Sequence, residues 1–122
     1  MIPAAVRIFV SIEPCDMRQG FDRLAQRVRA LLGEDPESGS LFVFSNRGAT
    51  RLKVLWFDSN GYCLLYKRLH RAVFELPPSS GSAAIQIDAR RLAELLRGVA
   101  RASRKRIVTK AQSLLDKGPG KK

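Results

Sequence analysis

The spacing of hydrophobic positions changes several times along the chain and predicts both strands and helices. Residues 6–12 (VRIFVSI) alternate between apolar and other side chains, which predicts a half-buried strand. The stretch 51–69 (RLKVLWFDSNGYCLLYKRL) predicts two strands joined by a turn. Other short apolar runs predict further strands at residues 41–44, 72–76 and 84–87. The chain is therefore expected to form a sheet of about five strands.

Two segments have the three- and four-residue spacing of helices with one buried face. The first carries its apolar residues at Met17, Phe21, Leu24, Val28, Leu31 and Leu32. Asp16 is its expected N-cap, with Gln19 completing a capping box, and Gly33 is its expected stop. Asp88 is expected to cap the second helix, whose buried stripe is Leu92, Leu95, Leu96 and Val99.

The order of these elements predicts an α+β fold. A strand and a helix precede several strands with hairpin spacing, and a helix follows them, which argues against alternating βαβ units. We expect a single domain over residues 1–100, with a mainly antiparallel sheet of about five strands and two packed helices. Residues 101–122 are expected to be a basic tail, either disordered or a short amphipathic helix.

The charge of the chain limits the classes of partner that it is expected to bind. Lys and Arg number 22 against 11 Asp and Glu, a formal net charge of +11 over 122 residues. Residues 97–122 hold 9 of the basic residues and one acidic residue, Asp116. Such a balance is typical of proteins that bind nucleic acid, an anionic membrane or an acidic protein. The alternative is a solvated surface that happens to be basic.

The predicted hairpin concentrates like charges on one face. A two-residue Asn60-Gly61 turn, or a four-residue loop over 58–61, places Arg51, Lys53 and Arg68 on the same face as Tyr66. Like charges opposite each other destabilise a sheet unless an anion neutralises them. Phosphates with a base stacked on the tyrosine would do so.

Two alternatives to phosphate remain open for this face. Carboxylates from elsewhere in the fold, such as Glu13, Glu34 or Glu75, would also neutralise the charges. A loop of odd length would instead bring Lys67 onto it.

Catalytic and metal-binding classes find little support in the sequence. Cys15 and Cys63 lie far apart in sequence and His70 is the single histidine. These residues are a poor ligand set for zinc, which needs four Cys, His or carboxylate ligands. Asp16 and Asp88 are explained as caps and Asp58 as a turn residue, so a metal-dependent nuclease is not favoured. We expect no enzymatic activity, no cofactor, no metal and no small-molecule substrate. Without an export signal or an apolar run of membrane-spanning length, a cytoplasmic protein with reduced thiols and no membrane partner is expected.

Two motifs carry a specific resemblance. CDMRQGFDRLA at 15–25, and LFVFSNR at 41–47 followed by RLKVLWFDSNGYCLLYKRL, resemble the TnpB-type accessory proteins encoded by the second open reading frame of the sixty-six family of bacterial insertion sequences. The likeness covers roughly residues 2–99. It implies a non-catalytic helper of DNA transposition that works beside a separate transposase. The RNA-guided nucleases that share the name TnpB are several times longer and are not implied.

This resemblance and the charge pattern together predict DNA binding. The alternative is a protein-interaction module that docks on the transposase without touching DNA. The family's usual Asp-Trp near residues 100–101 is replaced here by Ala100-Arg101 and the basic tail, which strengthens the charge argument. The candidate DNA-binding residues are Arg18, Arg47, Arg51, Lys53, Tyr66, Lys67, Arg68, Arg101, Arg104, Lys105 and Arg106.

Overall fold

The sheet is built around a strand that is buried on both of its faces. In the computed structural model, which describes residues 6–78 and 81–100, this strand is β1 (Ile8–Ser11). It was expected to be half-buried, but Phe9 and Ser11 are buried as well as Ile8 and Val10. The other elements are α1 (Phe21–Arg27), with a wider π-helical continuation over Val28–Leu32, β2 (Leu41–Ser45), β3 (Arg51–Asp58), β4 (Gly61–Arg68), β5 (Ala72–Val73), β6 (Ala84–Ile87), α2 (Ala89–Arg97) and β7 (Val99–Ala100).

The five-stranded sheet has the order β4-β3-β2-β1-β6 and is mainly antiparallel, as predicted. Its one parallel pair joins β1 to β2, with α1 in the connection between them. Within the described ranges the fold therefore contains one βαβ unit and not the alternating βαβ units that the order of elements argues against. The short strands β5 and β7 pair separately, so only the first two residues of the strand predicted at 72–76 form.

Helices cover both faces of the sheet and create two cores. On one face, Leu92 and Leu95 of α2 pack with Ile8, Val10 and Val43. On the other, Leu24 and Val28 pack with three phenylalanines and Leu55, and the rings of Phe9 and Phe42 stack 5.6 Å apart. Phe9 therefore faces α1, and Ile8 faces α2, which explains why β1 lacks a solvent side.

Helix α1 begins later than its capping pattern predicts. Its N-cap is Gly20, whereas Asp16 accepts a hydrogen bond from the backbone N–H of Arg18 in a separate turn. The carbonyls of Met17 and Gln19 accept hydrogen bonds from Lys53, so they do not serve as acceptors in a first helical turn. The predicted stop is confirmed, because Gly33 has the left-handed φ of +67° that ends many helices.

Helix α2 follows its prediction closely at the start and less closely at the end. The carboxylate of Asp88 accepts the Arg91 N–H at 2.8 Å, which confirms the cap. The helix ends at Arg97, and Gly98 (φ +71°) turns the chain into β7, so Val99 lies in a strand.

The hairpin has the strand register expected for a four-residue loop over 58–61, not the one expected for a two-residue Asn60-Gly61 turn. Arg51 pairs with Arg68 and Phe57 with Tyr62, but pairing continues to Asp58 and Gly61. The turn residues are therefore Ser59 and Asn60, and Ser59 takes a positive φ of 54°. Over the described ranges, no helix has the length and apolar character needed to cross a membrane.

Candidate nucleic-acid interface

Two arginines lie directly opposite each other at the open end of the hairpin. Arg51 on β3 pairs with Arg68 on β4, and two residue pairs inward Lys53 lies opposite Tyr66. Residues directly opposite in an antiparallel pair share a face, and that face also carries Leu55 of the α1 core. Arg51, Tyr66 and Arg68 line a shallow depression of about 290 Å³. The register thus places two guanidinium groups and an aromatic ring around one concave site.

These two arginines lack a carboxylate partner within the described part of the chain. The ion pairs found in residues 6–78 and 81–100 are Arg18–Asp16 and Arg91–Glu94. No acidic side chain of these ranges, Glu13, Glu34 and Glu75 included, lies within 4.0 Å of either guanidinium. The alternative in which carboxylates of the fold neutralise the hairpin is therefore not realised there.

The turn before β3 and the segment after β4 extend the same end of the sheet. The side-chain amide oxygen of Asn46 accepts hydrogen bonds from the backbone N–H groups of Thr50 and Arg51, which closes the turn. The N–H of Leu69 donates to the carbonyl of Thr50, which brings the chain after β4 beside this turn. The exposed Arg47 and Arg71 are carried on these two segments. We call the surface of Arg47, Arg51, Tyr66, Arg68 and Arg71 the basic end.

Lys53 belongs to the interior rather than to this surface. It is 6% exposed, and its ammonium donates to the carbonyls of Met17 and Gln19 at 2.7 Å each. The same ammonium lies 4.8 Å from the centre of the Tyr66 ring. Its role in the structure is to join the turn before α1 to the hairpin.

Lys67 lies on the opposite face of the sheet. It pairs with Leu52, which belongs to the core under α2, and its ammonium donates to the carbonyl of Leu96 at 2.8 Å. A lysine at this position interacts favourably with the C-terminal end of the helix. It is therefore separated from Arg51 and Arg68 by the thickness of the sheet.

Arg18 is exposed and held by its own turn. Its guanidinium donates to both carboxylate oxygens of Asp16, with the shortest contact at 2.7 Å. These hydrogen bonds, together with that from the Arg18 backbone, lower the pKa of Asp16 from 3.8 to about 2. Arg18 and Arg23 line a second depression of about 430 Å³ with Asp16, Gln19 and Gly20.

Two basic residues near these sites were not among the sequence candidates. Arg71 has a positive φ of 65° and follows Leu69 at the basic end. Its signal in the sequence is the run KRLHR at 67–71. Arg23 is an exposed residue of α1, and the position of the turn before α1 brings it beside Arg18. Arg101, Arg104, Lys105 and Arg106 lie outside the described residues.

The α2 face carries an apolar groove of about 560 Å³. Trp56, Leu65, Leu92 and Leu96 are among its lining residues, and Leu65 is 40% exposed. The groove lies beside β4, whose outer edge is paired with no described strand. Within the described ranges, no group of three or more His, Cys, Asp or Glu is placed to hold a metal ion.

The fold and its surfaces define a small α+β protein with a strongly basic end. Residues 6–106 match the family model of the IS66 Orf2 like proteins, and the chain belongs to this family. It is thus an accessory protein associated with the transposition of an insertion sequence.

Two relatives from Sinorhizobium fredii are similar to it, and both are described as uncharacterized. Protein y4hO is 43% identical over 101 residues, which cover 81% of this chain and 87% of y4hO. Protein y4jC is 35% identical over 78 residues, which cover 64% of this chain and 67% of y4jC. No solved structure matches the chain significantly.

Proposed function

We propose that this accessory protein binds the phosphate backbone of DNA through its basic end. The observation that carries the proposal is the pairing of Arg51 with Arg68 without a carboxylate in the described part of the chain. Like charges in this position cost stability, and an anion that bridges them removes the cost. For a transposition protein with a net charge of +11, DNA is the polyanion that such a protein is expected to meet.

The geometry favours a phosphate ligand over an isolated carboxylate. Guanidinium groups present donors in a planar fork that matches phosphate oxygens, and two of them face the same depression. Arg47 and Arg71 on the flanking segments add charge to the same end. Lys53 and Lys67 are left out of this surface because their ammonium groups already donate to backbone carbonyls.

The basic end and the tail are two separable sources of affinity. Residues 101–122 hold 8 basic residues, so they can also contribute phosphate contacts. Each phosphate contact steepens the fall of log K with log salt by about 0.9 on duplex DNA. The change in salt slope when the charges of one region are removed therefore measures the number of phosphate contacts that this region makes.

The test is duplex binding by the full-length chain across a salt series. Neutralising the pair with Arg51→Gln and Arg68→Gln is expected to reduce the salt slope by about 2, one unit for each lost phosphate contact. The matched control is Arg90→Gln with Arg97→Gln, which removes the same charge from exposed positions on α2. Equal salt slopes for the two double variants would refute the proposal.

A third variant assigns the share of the tail. Replacing Arg101, Arg104, Lys105 and Arg106 with Gln is expected to weaken binding without removing the effect of the Arg51 and Arg68 substitutions. Complete loss of DNA binding in this variant would place the interface in the tail and leave the arginine pair without a ligand.

A second candidate function is docking on the transposase of the same element. The apolar groove beside the unpaired edge of β4 favours it. An extended transposase segment could add to β4 through backbone hydrogen bonds and place an apolar side chain against Trp56 and Leu65. Acidic neighbours in that segment would suit the net charge of this chain.

This candidate is separable from DNA binding. Leu65→Asp is expected to abolish capture of purified transposase after nuclease treatment and to leave the duplex salt slope unchanged. The Arg51 and Arg68 double variant is expected to do the reverse. Retention of the transposase by the Leu65 variant would rule out the groove as its site.

A further inference from the structure

The basic end contains an aromatic ring as well as cations, and a buried lysine contacts that ring. Tyr66 is 51% exposed although it lies on the sheet face that packs against α1. The Lys53 ammonium lies 4.8 Å from the ring centre and is itself anchored by two carbonyls. A cation held there by the backbone attracts the face of the ring and so favours this position of the ring. Tyr66 is therefore a pre-organised and half-open surface.

The two arginines lie next to this ring. Arg68 is two residues from Tyr66 on the same strand and face, about 7 Å away along the strand. Arg51 lies opposite Arg68, and all three side chains line one depression. A ligand in that depression would meet a π surface and two guanidinium groups together.

A base within a duplex cannot stack on the aromatic ring of such a site. In duplex DNA the bases are stacked on each other and show only their edges in the grooves. An aromatic side chain stacks on a base only when that base is unpaired and turned out of the stack. Sites for single-stranded nucleic acid combine cationic side chains that bind the backbone with aromatic rings that stack on bases. The two arginines and the tyrosine provide this combination.

We propose that the preferred ligand of the basic end is single-stranded DNA, with Tyr66 as the residue on which an unpaired base stacks. This inference rests on the proposed function, since it names the class of DNA that the same site takes. Arg51 and Arg68 hold the phosphates on either side of the stacked base. Lys53 is a positioning residue, because it acts on the ligand only through the ring.

The experiment measures full-length protein binding to a labelled mixed-sequence oligonucleotide and to its duplex. Tyr66→Leu keeps an apolar side chain on the strand but removes the ring. It is expected to weaken single-strand binding about 10-fold or more and to leave duplex binding within about 2-fold. Tyr66→Phe keeps the ring and is expected to bind both ligands as the unchanged chain does.

A second ring on the same strand provides the matched control. Tyr62 shares the face of Tyr66 but lies at the turn end of the hairpin, where its ring meets Phe57 edge to face. Tyr62→Leu is expected to leave single-strand binding unchanged. An equal loss in the two variants, or an equal loss for single strand and duplex in Tyr66→Leu, would overturn the inference.

The outcomes separate this inference from the proposed function. If neutralising Arg51 and Arg68 weakens both ligands and Tyr66→Leu weakens neither, the basic end binds phosphates but the stacking role is wrong. If neutralisation weakens neither ligand, the proposed function itself is wrong and the inference falls with it. Tighter binding of a single-stranded RNA of the same sequence would overturn the assignment to DNA.

Discussion

The ammonium of Lys53 connects the ring of Tyr66 to the turn before α1. It lies 4.8 Å from the ring centre and donates to the carbonyls of Met17 and Gln19, which are 36 and 34 residues away in sequence. A buried charged donor that is hydrogen-bonded to two backbone acceptors is costly to remove. This contact therefore links the position of the turn before α1 to the position of the outer end of the hairpin.

Replacing Lys53 with Met should test this connection. The two carbonyls would lose charge-assisted hydrogen bonds, so we expect the free energy of unfolding to fall by about 2–4 kcal/mol. Urea denaturation measures the loss. The control is Lys67→Met, which removes one hydrogen bond from an exposed lysine and should cost less than about 1 kcal/mol. Equal losses would show that the two carbonyl contacts of Lys53 contribute little.

Gly98 is expected to be far less replaceable than another glycine of similar φ. A Cβ at Gly98 would lie 2.6 Å from Leu69 Cδ1 and 2.9 Å from the Val73 carbonyl oxygen, and φ is +71°. Gly98→Ala should therefore cost about 3 kcal/mol or more, measured by thermal or urea unfolding. Gly33→Ala, with φ +67° and no atom within 4 Å, should cost only about 1 kcal/mol. Similar costs at the two sites would contradict the close approach.

The pairing of Asp16 with Arg18 gives the turn before α1 a defined pH dependence. Because the folded-state pKa of Asp16 is lowered to about 2 from 3.8, its stabilising contribution is present above pH about 4 and is lost as the pH falls toward 2. An NMR titration of the Asp16 carboxyl should show this pKa. In Arg18→Gln the pKa should return toward 3.8, and an unchanged value would mean that another group holds the carboxylate.

Reversing one charge of the arginine pair should stabilise the fold while it weakens DNA binding. Arg68→Glu places opposite charges across the strands, which should raise the free energy of unfolding by about 0.5 kcal/mol at low salt. The gain should shrink at high salt because the pair is exposed. Arg51→Glu alone should give a similar gain, and the double reversal should lose it. Additive gains would show that the two side chains do not interact.

Local patterns predicted those parts of the fold whose partners are near in sequence. Asp88 caps α2 through an N–H three residues away, and the hairpin brings together residues on either side of one turn. The candidate pair Arg51 and Arg68 follows from that register alone. In both cases the deciding hydrogen bonds lie within the segment being interpreted.

Predictions were wrong where a distant residue decides the local structure. Asp16 has the residues of a capping box around it, but Lys53 takes the carbonyls that an earlier helix start would need. The alternation in β1 indicated a solvent-facing side, but α1 and α2 cover both faces. The burial of Lys53 likewise depends on backbone atoms more than 30 residues away.

The position of β6 in the sheet sets the order in which the chain can complete its fold. The β3–β4 hairpin closes across a two-residue turn, so its contacts are local. By contrast, Ile8 of β1 pairs with Ile87 of β6, near the other end of the domain. Until residues 84–87 leave the ribosome, β1 keeps one edge without its native partner. The first strand of the sheet to be synthesised is therefore among the last to gain all of its hydrogen-bonded partners. Pairing between strands so distant in sequence slows folding.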